Sequence, residues 1–108
     1  MSRIAVVTTT VGDEGAARTL AERVIDERLA ACVQTEGPIN SRYRWRGEIE
    51  NAQEWRVVAK TTDWGATRLA EFLASVHPYE LPEILLHEVT AFRQEYAAWV
   101  ADQLACPE

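Results

Sequence analysis

The chain has 108 residues, 47% apolar and 26% charged, which suits one globular domain with its own core and leaves no room for a second. Seventeen Asp and Glu against 11 Lys and Arg give a net charge of −6, which excludes a nucleic-acid binder held by phosphate contacts and fits a protein that meets cations. No apolar run reaches the ~18–20 residues of a spanning helix, and Ile4-Ala5-Val6-Val7 is too short for a signal peptide, so a cytoplasmic protein with no membrane partner and with reduced thiols at Cys32 and Cys106 is expected.

Residues 3–10 are rich in β-branched side chains and read as a strand. Asp13 is placed to cap a helix in which Ala17, Leu20, Ala21, Val24 and Ile25 follow helical spacing, ending near Leu29. Residues 31–47 form a second extended run in which Arg42, Arg44 and Arg46 alternate with Tyr43 and Trp45. Glu50-Asn51-Ala52-Gln53 is the expected turn, because 54–62 is again β-like. Thr62 or Asp63 is the expected cap of a helix that carries Ala66, Leu69, Leu73 and Val76 on one face. A fourth strand is expected over 83–90, then a helix over 93–104 with Tyr96, Trp99, Val100 and Leu104 inward.

The order β-α-β-β-α-β with a terminal helix is the ferredoxin-like arrangement of the α+β class, as one domain spanning 1–108. In it two helices cover one face of the sheet. The first and fourth strands are nonetheless apolar at consecutive positions, Ile4-Ala5-Val6-Val7 and Ile84-Leu85-Leu86, so both faces are expected to be dry. The terminal helix can cover part of the second face. Another copy of the chain is the expected cover for the rest.

Between the second helix and the fourth strand lies His77-Pro78-Tyr79-Glu80-Leu81-Pro82-Glu83. Each proline fixes its own φ and pushes the residue before it toward extended geometry, which predicts a stiff corner. This corner gathers an imidazole, a phenol and two carboxylates, fit for a ligand pocket or a subunit junction. His77 could ligate a metal, or could meet the carbonyls at the end of its helix. Glu80 could face a cation, or could accept backbone N–H groups left free by the prolines, with Tyr79 packed across a subunit boundary. Cys32 is the softest candidate ligand, suited to copper, although its apolar context Ala30-Ala31-Cys32-Val33 favours a small buried hydrophobe. The three arginines are balanced by Glu48, Glu50 and Glu54 nearby, so ion pairs are the better expectation than an anion stripe. No serine elbow, Cys–His pairing or carboxylate pair with an evident role is present, so no enzyme is expected.

The chain resembles the CutA family of divalent-cation tolerance proteins. The resemblance is carried in order by Glu27-Arg28-Leu29-Ala30-Ala31-Cys32-Val33, by Ser41, Tyr43, Trp45 and Gly47, by Lys60-Thr61-Thr62, by the corner itself, and by Tyr96 with Trp99. It implies a ferredoxin-like homotrimer with long hairpins that extend sheets between subunits. It further implies a role with copper or another divalent cation and no organic cofactor. On that reading Cys32, His77 and Glu80 are the candidate metal ligands, while Tyr43, Trp45, Lys60, Tyr79 and Glu83 line a pocket or subunit junction. The chain departs from the family pattern at His87-Glu88 and at Ala91-Phe92, which implies a different entry to the last helix. The alternative is a PII-like trimeric sensor of small molecules, which would need a long flexible loop between the second and third strands.

Overall fold

The computed structural model describes residues 1–106. The elements run β1 (Ile4–Val11), α1 (Glu14–Asp26), β2 (Cys32–Trp45), β3 (Glu48–Thr62), α2 (Ala66–Val76), β4 (Ile84–Glu88) and α3 (Gln94–Gln103). All pairings are antiparallel and the sheet order is β2-β3-β1-β4, so the expected α+β architecture, βαββαβ plus a terminal helix, is the one observed.

Local chemistry explains most boundaries. Asp13 caps α1 as expected, with Oδ1 accepting from the Ala16 N–H at 2.7 Å. The helix closes when Arg28 takes a left-handed φ of 55°. Leu29 N–H then bonds Val24 O and Arg28 N–H bonds Ile25 O, the Schellman pattern. Glycine usually fills that position. Here the Arg28 side chain is used as well, its Nε donating to Gln103 O at 3.1 Å and tying the end of α1 to the end of α3. The expected cap of α2 is corrected: the residue before the helix is Gly65, with no side-chain cap. Thr62 instead accepts the Gly65 N–H through Oγ1, and Asp63 Oδ1 accepts from Arg3 N–H. Gly65 is required by space, since a Cβ there would lie 2.7 Å from Leu104 and 2.8 Å from Thr61 Oγ1.

The turn between β2 and β3 is also corrected. Residues 50–53 are paired strand, with Tyr43 opposite Glu50 and Arg42 opposite Asn51, and the pairing runs on to Trp45 opposite Glu48. Arg46 and Gly47 alone make the turn, at φ 50° and 83°. Two positive φ values in sequence give the hairpin turn whose twist matches the strands, and a glycine at the second position is its signature. The register slips once, between Glu36 and Ile39, beside Gly37, where a Cβ would meet the Trp55 ring at 2.5 Å. The resulting hairpin projects beyond β1. It gives the molecule a 46 Å long axis and a radius of gyration of 14.5 Å, against about 13 Å for a compact chain of this length.

Two cores occupy the two faces of the sheet. Ala5, Val7 and Val11 of β1 and Val57 and Ala59 of β3 pack against Ala17, Leu20 and Val24 of α1 and Ala66, Leu69 and Leu73 of α2. Ile4 points the opposite way from Ala5. It packs with Ala97, Val100 and Leu104 of α3, joined by Val89 and Phe92. The helix α3 thus covers one end of the second face. Tyr96 and Trp99, expected inward, are 39% and 46% exposed. They stack on each other on the outer side, ring centroids 5.7 Å apart.

Candidate functional site

The proline corner forms because His77 ends α2 in extended geometry, φ −68° and ψ 137°, as the residue before a proline must. It does not bond the carbonyls of its own helix. Its Nε2 lies 3.0 Å from both Thr10 O and Thr9 Oγ1, and its Nδ1 accepts the Tyr79 N–H at 3.1 Å. A carbonyl only accepts, so the Nε2 carries the proton and the ring is the neutral tautomer. Burial lowers the His77 pKa below its ordinary value, and the Thr10 carbonyl and the Glu54 charge oppose that shift. Both ring nitrogens are therefore engaged, clamping the corner to β1.

Tyr79 stands edge-on to that imidazole, centroids 4.9 Å apart. Its hydroxyl donates to Glu54 Oε2 at 2.8 Å within the same protomer. Burial, then the bond and charge of Glu54, push the phenol up to about 12, so it stays a donor at any physiological pH. Glu54 is only 8% exposed. Among the described residues Tyr79 is the hydrogen-bond donor to this carboxylate, and Glu54 lines a cavity of about 650 Å³. The cavity lies between the corner and the hairpin. Tyr43, Trp45, Tyr79, Glu80 and Glu83 line it, as do Thr10, Ser41, Arg42, Leu81 and Glu54 itself.

Glu80 is exposed and pairs with Arg46 at 3.2 Å, in place of the backbone N–H groups expected for it. The Arg46 guanidinium also lies 5.2 Å over the Trp45 ring. The arginines do not pair with the hairpin glutamates: Arg42 bonds Asn51 Oδ1 at 3.0 Å and Arg46 reaches across to the corner.

Lys60 and Cys32 stand elsewhere. Cys32 is opposite Lys60, Lys60 opposite Val6, and Val6 opposite His87, so these four form one row on the sheet face away from α1 and α2. That row is four residues along β1 from Thr10, about 13 Å at ~3.3 Å per residue. Among the described residues no three His, Cys, Asp or Glu side chains gather to hold an ion. Cys32, His77 and Glu80 are thus not brought together within one protomer. Sequence reasoning missed Glu54 as a site residue, because a glutamate opening a β-rich run reads as an exposed strand end.

The family model described as CutA1 divalent ion tolerance protein matches residues 5–103. The chain belongs to the CutA family. The divalent-cation tolerance protein CutA of Thermus thermophilus is 39% identical over 97 residues, covering 90% of this chain and 94% of that protein. The crystal structure of divalent ion tolerance protein CutA1 from Ehrlichia chaffeensis superposes with a TM-score of 0.92 at 27% identity, over 98% of this chain and 99% of that one. The Thermus thermophilus structure gives a TM-score of 0.88 at 37% identity, over 94% and 99%.

Several motifs that carry the CutA resemblance have structural work in this chain. Thr61 Oγ1 donates to Leu29 O at 2.9 Å in the interior, locking the junction of α1 and β2 onto β3. Thr62 serves the start of α2. Phe92, before α3, packs onto the Ile4 core with the Arg3 guanidinium 5.7 Å above its ring.

Proposed function

We propose that this CutA-family chain acts in divalent-cation tolerance as a non-enzymatic, cytoplasmic homotrimer that binds copper or another divalent cation weakly, at sites completed where subunits meet. One observation carries the reading: the sheet face not covered by α1 and α2 is closed by α3 at one end only. Beyond the Ile4 core, Val6, Thr8 and Val58 are only half-buried and Leu85, opposite Thr8, is 47% exposed. A Leu left in water forgoes about 1.5–3 kcal/mol of burial, so a self-complementary contact over this face is favoured. The projecting hairpin supports the same assembly, because an isolated two-stranded ribbon is marginal in water.

The proposed metal donors remain Cys32, His77 and Glu80, with Tyr43, Trp45, Lys60, Tyr79 and Glu83 as pocket or junction residues. Their separation in one protomer favours donors contributed by neighbouring subunits. Cys32 is half-buried and its thiolate suits a soft ion. Glu54, Glu80 and Glu83 at the cavity offer the oxygen donors that harder cations prefer. The alternative of a PII-like sensor lacks its flexible loop, since β2 and β3 are joined by Arg46-Gly47 alone.

Calorimetry with Cu(II), Zn(II) and a reduced Cu(I) complex tests the ligands. Cys32→Ser is expected to lose Cu(I) affinity, in line with the loss of a soft ligand, and His77→Ala to weaken Cu(II). Equal binding by wild type and both variants contradicts the ligand assignment.

A further inference from the structure

An organic cation of the chain itself engages two residues that line the corner cavity, Trp45 and Glu80. Arg46 sits at the tip of the hairpin, yet its side chain folds back so that the guanidinium pairs with Glu80 at 3.2 Å and stacks 5.2 Å over Trp45. These are the two elements by which proteins recognise alkylated cations, an aromatic face and a carboxylate. The same cavity is lined by two more aromatic side chains, Tyr43 and Tyr79, and by Glu54, 8% exposed, with Oε2 fixed by the Tyr79 hydroxyl and Oε1 without a donor among the described residues. Such a carboxylate is desolvated and held in place, and a bidentate N–H donor would satisfy it. Three carboxylates, Glu54, Glu80 and Glu83, line this space against one lining cation, Arg42, which is turned to Asn51 Oδ1.

We propose that the cavity between the hairpin and the proline corner is a binding site for a small alkylguanidinium ligand, whose cationic head bonds Glu54 and whose carbon chain lies against Tyr43 and Trp45, with Arg46 as the internal competitor at its mouth. The inference rests on the corner being a ligand site, as in the proposed function, and does not depend on any metal. A volume of about 650 Å³ is in the range of small-molecule pockets. Arg46 and Glu80 are both mostly exposed, at 71% and 77% of their side-chain area, so the internal pair is weak and exchangeable.

The test is a titration of isotope-labelled protein with butylguanidinium, followed by the amide and indole N–H resonances at constant ionic strength, with neutral butylurea as the control of equal shape. Butylguanidinium is expected to shift Trp45, Tyr79 and Glu54, and butylurea to leave them unmoved. Arg46→Asn removes the competitor, and Asn tolerates the left-handed backbone of that position. It is expected to bind about three- to tenfold tighter, the size of a weak ion pair and a surface cation–π contact together. Glu54→Gln is expected to abolish the shifts, and should that variant not fold, Trp45→Leu is expected to weaken binding at least threefold. Equal response to butylguanidinium and butylurea, or no gain in Arg46→Asn, overturns the inference, as does a cavity that a neighbouring copy keeps closed to the probe. Zn(II) titrated alone separates the two readings. Shifts with Zn(II) but none with butylguanidinium leave the metal proposal standing and remove this one, and the reverse pattern does the opposite.

Discussion

The side chains His77, Tyr79 and Glu54 act as one hydrogen-bonded unit that couples the end of α2 to β1 and β3. Prolines 78 and 82 announce the unit in the sequence, because they demand an extended, rigid segment around His77 and Tyr79. Its third member is not announced. Glu54 gains its role from a contact 25 residues away in sequence, and nothing local distinguishes it from Glu48 or Glu50. Replacing Tyr79 by Phe leaves the buried Glu54 carboxylate without its donor. The expected loss is about 1–3 kcal/mol, read as a lower denaturation midpoint at pH 7, with the slope of the transition unchanged.

The imidazole makes a pH prediction of the same unit. His77 has a lowered pKa in the folded chain, so the unfolded chain binds its proton first as pH falls. Its stabilising contribution is complete above pH ~6.5, the unfolded value, and drains away as pH drops below it toward the folded value. Protonation places a second N–H at Nδ1, against the Tyr79 N–H it now accepts. Stability followed between pH 7.5 and 5 should therefore fall in the wild type, and a His77→Gln variant should show a flatter profile across that window. Parallel profiles would remove His77 as the cause.

At the scale of elements, the order βαββαβα was legible because β-branched runs and helical spacing alternate cleanly along the chain. The hairpin turn was not. Glu50-Asn51-Ala52-Gln53 is polar enough to imitate a turn, but polarity only marks an exposed strand here, and backbone geometry decides. Gly47 was the usable signal, since the turn needs φ 83° at that position. A Cβ at Gly47 meets no atom within 4 Å, so Gly47→Ala isolates backbone strain. It should cost about 1–2 kcal/mol by chemical denaturation, and Gly47→Asn clearly less. The last helix misled for a related reason. Large aromatics at positions 96 and 99 look like a core face, yet the contact with Ile4 is made by Ala97, Val100 and Leu104, because a small residue lets α3 approach the sheet. The end of α3 is also where Gly65 leaves room for Leu104, so α2 and α3 are coupled through one missing methyl.

For the whole molecule, two cores on the two faces of one sheet leave the second face half finished. The sequence made this readable, since consecutive apolar residues in β1 and β4 cannot all point into a single core. It could not say how far α3 would reach. That depended on the Phe92 connection, which packs onto the Ile4 core. The remaining surface includes Leu85, opposite Thr8 and 47% exposed, and the flank of the hairpin. A charge at Leu85 should disfavour any assembly through this face while leaving the α1–α2 core intact, so Leu85→Glu is expected to fold and to reduce the particle mass.

The assembled state is the claim on which the shared sites depend, and the molar mass in solution tests it most directly. Light scattering on the purified chain at micromolar concentration should give three times the 12.2 kDa chain mass. A single 12.2 kDa species under the same conditions would contradict the account.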